Sequence, residues 1–212
     1  MLLCVRAFAL VVALVLVIGA AGQVWAGPPT DQLRAQIERV LKVLDDPELK
    51  KDGRLRDRRT AVRQIANEIF DFSETARRSL ARHWAGRSQA ERDEFVQLFS
   101  DLLERSYISK IELYGGEKIT YAGDSIEGES ALVRTKLLTK QGTEIPIEYR
   151  MLRRDDKWLV YDVVIEGVSL IANYRTQFNK IITTSSFQEL VKKMKTKQEE
   201  FIQEEKKTSS TR

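Results

Sequence analysis

The sequence predicts an α+β fold: a four-stranded antiparallel meander covered by about six or seven helices. Three observations carry that expectation. Apolar residues recur at helical spacing through the first half of the chain. The period switches to two between about residues 119 and 165, and it returns to the helical value after Gly167. Runs of helices flanking a run of strands bury their apolar stripes by gathering on a sheet.

The first 26 residues stand apart. Arg6 precedes an almost unbroken apolar run from Ala7 to Ala21, and Val24-Trp25-Ala26 supplies a cleavage box. This is the pattern of a secretory signal peptide cut after Ala26. The alternative, a short uncleaved membrane span, fits less well because Gly27-Pro28-Pro29 follows at the distance expected for a cleavage site. Cys4 lies before the apolar run and is not placed as a lipidated Cys. The remainder reads as one domain over 27–203, in one lobe or two, with a polar, frayed tail at 204–212.

The helices follow in order. Leu33, Ile37, Val40, Leu41 and Leu44 share a face, ended by Pro47 and Gly53. A basic connection over residues 50–59 carries Lys50, Lys51, Arg54, Arg56, Arg58 and Arg59 and reads as a solvated loop or a docking surface for acidic groups. Val62, Ile65, Ala66, Ile69 and Phe70 mark a second helix. Phe72, Ala76, Leu80 and Trp84 step by four along a third, closed by Gly86. Ser88-Gln89-Ala90-Glu91 is a capping box opening a long helix with Phe95, Leu98, Phe99, Leu102 and Leu103 on one face. Gly115-Gly116 stops it.

Four strands come next. Ile119 and Tyr121 begin the first; Val133, Thr135 and Leu137 form one face of the second. Ile145, Ile147, Tyr149 and Met151 form a face of the third, and Leu159, Tyr161, Val163 and Ile165 the adjacent set on the fourth. After Gly167, Ile171, Tyr174, Phe178 and Ile181 share a helical face. A second capping pattern, Ser186 to Glu189, opens the last helix.

Composition narrows the chemistry. The chain has 212 residues, 42% hydrophobic and 31% charged, with 35 Lys+Arg against 31 Asp+Glu. That balance suits a folded chain and does not announce a polyanion, so nucleic acid is not expected. One Cys and one His exclude a disulfide framework and leave little for a metal site. His83 reads as an ordinary helix residue. No Gly-rich phosphate loop follows a strand, and no Ser sits in a nucleophile elbow. Asp162 and Glu166, four apart on one strand, would share a side and could serve as paired carboxylates, though a structural role fits better. No catalytic residue, cofactor or metal is expected.

The stretch Trp158-Leu-Val-Tyr161-Asp162, continuing through Glu166-Gly167-Val168-Ser169 to Tyr174-Arg175 and Gln177-Phe178, resembles the signature of the MlaC family, the toluene-tolerance or phospholipid-binding auxiliary proteins of an ABC transporter. Trp84, Ser88, Glu91-Arg92, Glu94-Phe95 and Leu98-Phe99 resemble a second block. The likeness covers nearly all of the chain after the export segment and is weakest over about 30–60. It implies a sheet resembling nuclear transport factor 2 enclosing an apolar cavity. It also implies a periplasmic shuttle that maintains outer-membrane lipid asymmetry. Its partners would be a glycerophospholipid, an outer-membrane lipoprotein–porin complex, and an inner-membrane ABC transporter complex with a hexameric lipid-domain protein, met transiently by a monomer.

Side-chain direction then suggests a lipid wall. The sheet would contribute Val133, Leu137, Ile145, Ile147, Tyr149, Met151, Leu159, Tyr161 and Val163. Phe95, Phe99, Leu102, Leu103, Ile171, Tyr174 and Phe178 would roof it. Two acyl tails need roughly 800 Å³, inside the usual span of ligand sites. Two other readings stay open: an enzyme on a similar sheet using Asp162 or Glu166, and an interaction module with a filled core. Asp162, Glu166 and Ser169 are expected to organise the strand-to-helix turn, with Gly167 allowing the bend.

Overall fold

In the computed structural model, residues 27–51 and 53–210 are described, with side chains as far as Lys206. The export segment and its cleavage after Ala26 lie outside the described residues. Helix α1 (Pro28–Asp45) begins with two prolines whose fixed φ suits the first turn. Gly27 has no capping side chain, and a strand residue, Asp124, supplies one instead. Its carboxylate accepts from the Thr30 amide at 3.0 Å and the Thr30 hydroxyl at 2.7 Å. Helices α2 (Leu55–Ile69) and α3 (Phe72–Leu80) follow. Asp71 caps α3 by accepting from the Glu74 amide.

The stepping by four predicted α3 as far as Trp84. The helix stops at Leu80 instead, because Ala81 adopts φ 48° and turns the chain into a 3-10 segment, Ala81–His83. Helix α4 (Gln89–Ile111) opens on the expected capping box, with both reciprocal bonds between Ser88 and Glu91 made.

Among the described residues the sheet has five strands, not four, in the order β1-β2-β3-β4-β5 and antiparallel throughout: Lys118–Glu127, Ser130–Leu138, Glu144–Arg154, Lys157–Ile165 and Val168–Ser169. The fifth is only two residues long, too short to show a period. Glu166 (φ 50°) and Gly167 (φ 80°) form the two-residue turn that folds β5 back on β4. Both central residues carry the positive φ that a tight hairpin of this hand requires.

A bulge in β4 changes which residues face the helices. Tyr149 pairs with Val163, but Met151 pairs with Val160 and Leu152 with Leu159, so Tyr161 is the extra residue. An extra residue flips the alternation beyond it. Trp158 and Val160 therefore join Met151, Tyr149 and Val163 on the covered face. Leu159, expected there from uninterrupted alternation, lies on the other side.

The free edge of β4 is closed by side chains and loops, which prevents pairing with another chain. Gln32 bonds both backbone groups of Trp158, at 2.7 and 2.9 Å. The Asp71 amide donates to the Val160 carbonyl and the Thr75 hydroxyl to that of Tyr161. Helix α5 (Leu170–Thr184) and helix α6 (Phe187–Ser210) complete the chain. Ser186 accepts from the Glu189 amide at 3.0 Å. The α6 backbone stays helical to Ser210, into the stretch read from sequence as a tail.

Among the described residues, buried apolar side chains form three clusters. One is helical, with Phe95, Phe99, Phe178, Phe187 and Leu190 at its centre. The second joins the sheet to α1 and α2 through Leu33, Ile65, Ile69, Val133, Met151 and Val160. The third, Leu44, Val62 and Ile108, ties α1 and α2 to the end of α4.

Candidate functional site

Between the second and third clusters lies a cavity of about 670 Å³. Its walls are almost wholly apolar. Helix α1 contributes Leu33, Ile37, Val40, Leu41 and Leu44; α2 contributes Val62, Ala66 and Ile69. The second half of α4 adds Leu103, Tyr107 and Ile108. The floor is the covered face of the sheet: Ile119, Leu137, Ile147, Tyr149, Val163 and Ile165. Ile147, Tyr149 and Val163 are mid-sheet yet only half-buried. The surface they keep faces this space. The exposed wall residues Lys110, Ile111 and Leu113 sit together where α4 ends and mark its mouth; Leu113 is 81% exposed.

Few polar groups reach the cavity. Burial pushes the Tyr149 hydroxyl up to about 12, with a hydrogen bond from Thr135 opposing, so it stays neutral at any ordinary pH. Arg63 and Glu104 face each other at 2.5 Å. Burial raises the Glu104 carboxyl above its ordinary range, while the Arg63 charge pulls the other way. A space of this kind accepts hydrocarbon and offers little to a charged or strongly hydrated solute.

The predicted wall residues divide between this cavity and solid core. Leu103, Leu137, Ile147, Tyr149, Tyr161, Val163 and Ile171 line it. Phe95, Phe99 and Phe178 belong to the filled helical cluster, with Leu102 and Tyr174 packed against it. Their rings stack edge-on, Phe95 to Phe178 at 5.6 Å and Phe99 to Phe178 at 5.1 Å, leaving no lumen between them. Val133 and Met151 are buried in the sheet cluster. Ile145 is half-buried opposite Leu137, outside the cavity lining, and Leu159 is on the far face.

The roof that sequence reasoning missed is α1 and α2. Their apolar stripes were legible as helix faces, but nothing in their spacing distinguishes a face that packs solidly from one that borders a void.

The carboxylate pair is not assembled. Asp162 is buried and fully engaged: it accepts from Arg150 at 3.1 Å, from the Ser169 hydroxyl at 2.7 Å and from the Ile171 amide at 3.2 Å. Glu166 is exposed in the turn beyond β4, so the two do not share a strand face. Among the described residues, no group of three or more His, Cys, Asp or Glu is placed to hold a metal ion. The basic connection is largely neutralised. Lys50 pairs with Asp45, Lys51 with Glu48 and Arg54 with Asp57. Arg58 and Arg59 converge on Glu112.

Residues 34–196 match the MlaC protein family. The chain belongs to the MlaC family. It is 23% identical over 141 residues to the intermembrane phospholipid transport system binding protein MlaC of Haemophilus influenzae, covering 64% of this chain and 66% of that relative, just under two thirds of its length. Its fold matches that of a phospholipid-binding protein from Ralstonia solanacearum, solved in complex with a phospholipid. The TM-score is 0.74 at 21% identity, over 83% of this chain and 99% of that one.

The blocks that resemble the MlaC signature now have structural roles here. Asp162 and Ser169 tie β4 to the start of α5, and the Ser169 hydroxyl accepts from the Ala172 amide at 2.9 Å. In the earlier block, the Arg92 guanidinium lies 5.3 Å from the Trp84 ring and donates to the Trp84 and Ala85 carbonyls, fixing the loop before α4. Both blocks build the frame around the cavity; the later one also gives it Tyr161, Asp162 and Ile171, while most of the lining comes from less distinctive residues.

Proposed function

We propose that the protein binds a glycerophospholipid with its acyl tails in the apolar cavity and carries it through water between two membranes. The observation that carries this reading is the 670 Å³ space walled by α1, α2, α4 and the sheet. Membership of the MlaC family supports it, as do the Haemophilus relative's name and the phospholipid in the Ralstonia structure.

The energetics favour carriage. Two tails of about 15 methylenes each lose on the order of 24 kcal/mol if left in water, at ~0.8 kcal/mol per methylene. The lipid leaves one bilayer and returns to another. A cavity that imitates hydrocarbon therefore gives a transfer free energy near zero, which a partner on either membrane can tip. At 670 Å³ the space is somewhat smaller than two full tails require, so tail ends would lie at the mouth by Ile111 and Leu113.

On this reading Leu103, Leu137, Ile147, Tyr149, Tyr161, Val163 and Ile171 touch the tails, and the molecule is a carrier rather than an enzyme. It acts as one domain over 27–203, exported to the periplasm after cleavage behind Ala26. It would meet an outer-membrane lipoprotein–porin complex at one end of its route and an inner-membrane ABC transporter complex at the other. Native mass spectrometry of gently purified protein tests the reading. A mass increment matching a phospholipid is expected; protein that emerges empty and takes up none from added vesicles would overturn it.

A further inference from the structure

A second cavity, of about 410 Å³, adjoins the first. Tyr161, Asp162 and Ile171 line both, so the two spaces meet at these side chains. The two spaces differ in chemistry. The second is lined by three arginines, Arg77, Arg78 and Arg175. Its one lining carboxylate, Asp162, is occupied by Arg150, Ser169 and the Ile171 amide.

Positive charge is in excess here. Arg77 and Arg78 share a single carboxylate, Glu74, at 2.6 and 2.7 Å; Arg154, 3.6 Å from the same group, is paired with Asp71 at 2.8 Å. Arg175 is exposed and has no carboxylate partner among the described residues. The first turn of α5 borders the same space through Ser169 and Ala172, adding the positive end of its dipole. Guanidinium groups match the oxygens of a phosphate in pairs.

Their meeting point has its own geometry. Tyr161 is the bulged residue of β4, so it has no cross-strand partner, and its ring lies 3.9 Å beneath the Arg78 guanidinium. A hydrocarbon compartment and a cationic one, meeting at an aromatic ring, match the two halves of an anionic amphiphile. Resting on the carrier reading, we propose that the cationic compartment receives the phosphate of the lipid whose tails fill the apolar cavity, with Tyr161 at the boundary between head and tails.

The test uses the full exported chain, stripped of lipid, and two probes with identical chains: dioctanoyl phosphatidylglycerol and dioctanoylglycerol. The wild type should prefer the phosphate-bearing probe by about tenfold or more. Arg175→Glu, at an exposed residue without a partner, should keep the melting temperature and the affinity for dioctanoylglycerol while removing most of that preference. Arg77→Ala added to it should remove the rest. Equal binding of both probes by wild type and variants would overturn the head compartment and leave the tail cavity standing. Binding of neither probe by wild type would defeat the carrier reading itself. Inorganic phosphate that binds in an Arg175-dependent way, with no preference between the lipid probes, would make this a free-anion pocket and overturn the lipid assignment.

Discussion

Val133 and Ile147 face the same side of neighbouring strands, yet they sit in different surroundings. Val133 is wholly buried in the sheet cluster, whereas Ile147 is half-buried and borders the cavity. Their spacing sets the face and cannot set the void, because alternation records direction and not what lies opposite. Tryptophan separates the two. Ile147→Trp extends into open space, so the lipid-free variant should melt at or above the wild-type temperature while its phospholipid load falls. Val133→Trp overpacks a filled core and should cost about 1–3 kcal/mol or more in denaturant titration. Asp162 makes a further case at this scale. Its carboxylate holds Arg150, Ser169 and the start of α5 together. Asp162→Asn replaces an acceptor-only group by one that must donate somewhere, at a cost of roughly 1–3 kcal/mol. Below its melting temperature the variant should bind lipid as the wild type does; lost binding in a folded variant would show a direct role.

Elements were legible where their signals are local and obscured where one residue changes the pattern. The capping box at Ser88 placed the start of α4, because its chemistry is complete within four residues. The bulge at Tyr161 reversed the alternation of β4 without any Gly or Pro to announce it, and Ala81 ended α3 at a residue that ordinarily extends helices. Helix α3 also carries a pH dependence. Glu74 opens its first turn and is 6% exposed, held by Arg77 and Arg78. The Arg77 bond first, opposed by burial and joined by Arg78, keeps its carboxyl below the ordinary value of 4.5. The folded state therefore binds this proton less readily than the unfolded one. The stabilisation is complete above the unfolded value and is lost as pH falls through the lower, folded one. Urea midpoints taken from pH 6 down to pH 3 should decline in the wild type, and the decline should be shallower in Glu74→Gln. Parallel curves would remove Glu74 from the acid response.

At the scale of the molecule, the order of helices, strands and helices was readable, since it follows from a change of period along the chain. The division into a solid half and a hollow half was not. Aromatic residues on α4 and α5 suggested a roof and instead fill a core of their own, while the plainer Leu, Ile and Val of α1 and α2 surround the space. A molecule with one hollow half should gain stability when the hollow is occupied. A ligand at 100 times its dissociation constant contributes about 2.7 kcal/mol. For a chain of this size that corresponds to a rise of roughly 5–10 °C in Tm on lipid loading. Calorimetry of delipidated and reloaded protein should show it; coincident melts would mean that the folded state does not hold the lipid in preference to the unfolded one.

The tether of α1 has a kinetic consequence. Strands β1 to β4 are joined by hairpins between chain neighbours, but Thr30 reaches Asp124 across 94 positions and Gln32 reaches Trp158 across 126. Closing loops of that length costs entropy before any contact repays it, so the meander can assemble first and α1 dock late. By the same reasoning α1 should detach at the least cost once the molecule is folded. That helix is a wall of the cavity, so its brief departure would admit a bulky chain without unfolding the rest. Native-state hydrogen exchange should find amides from Leu33 to Leu44 opening at a lower free energy than those of β2 and β3, and lipid should slow the former more. Equal opening energies in both segments would mean that the wall leaves only when the whole structure does.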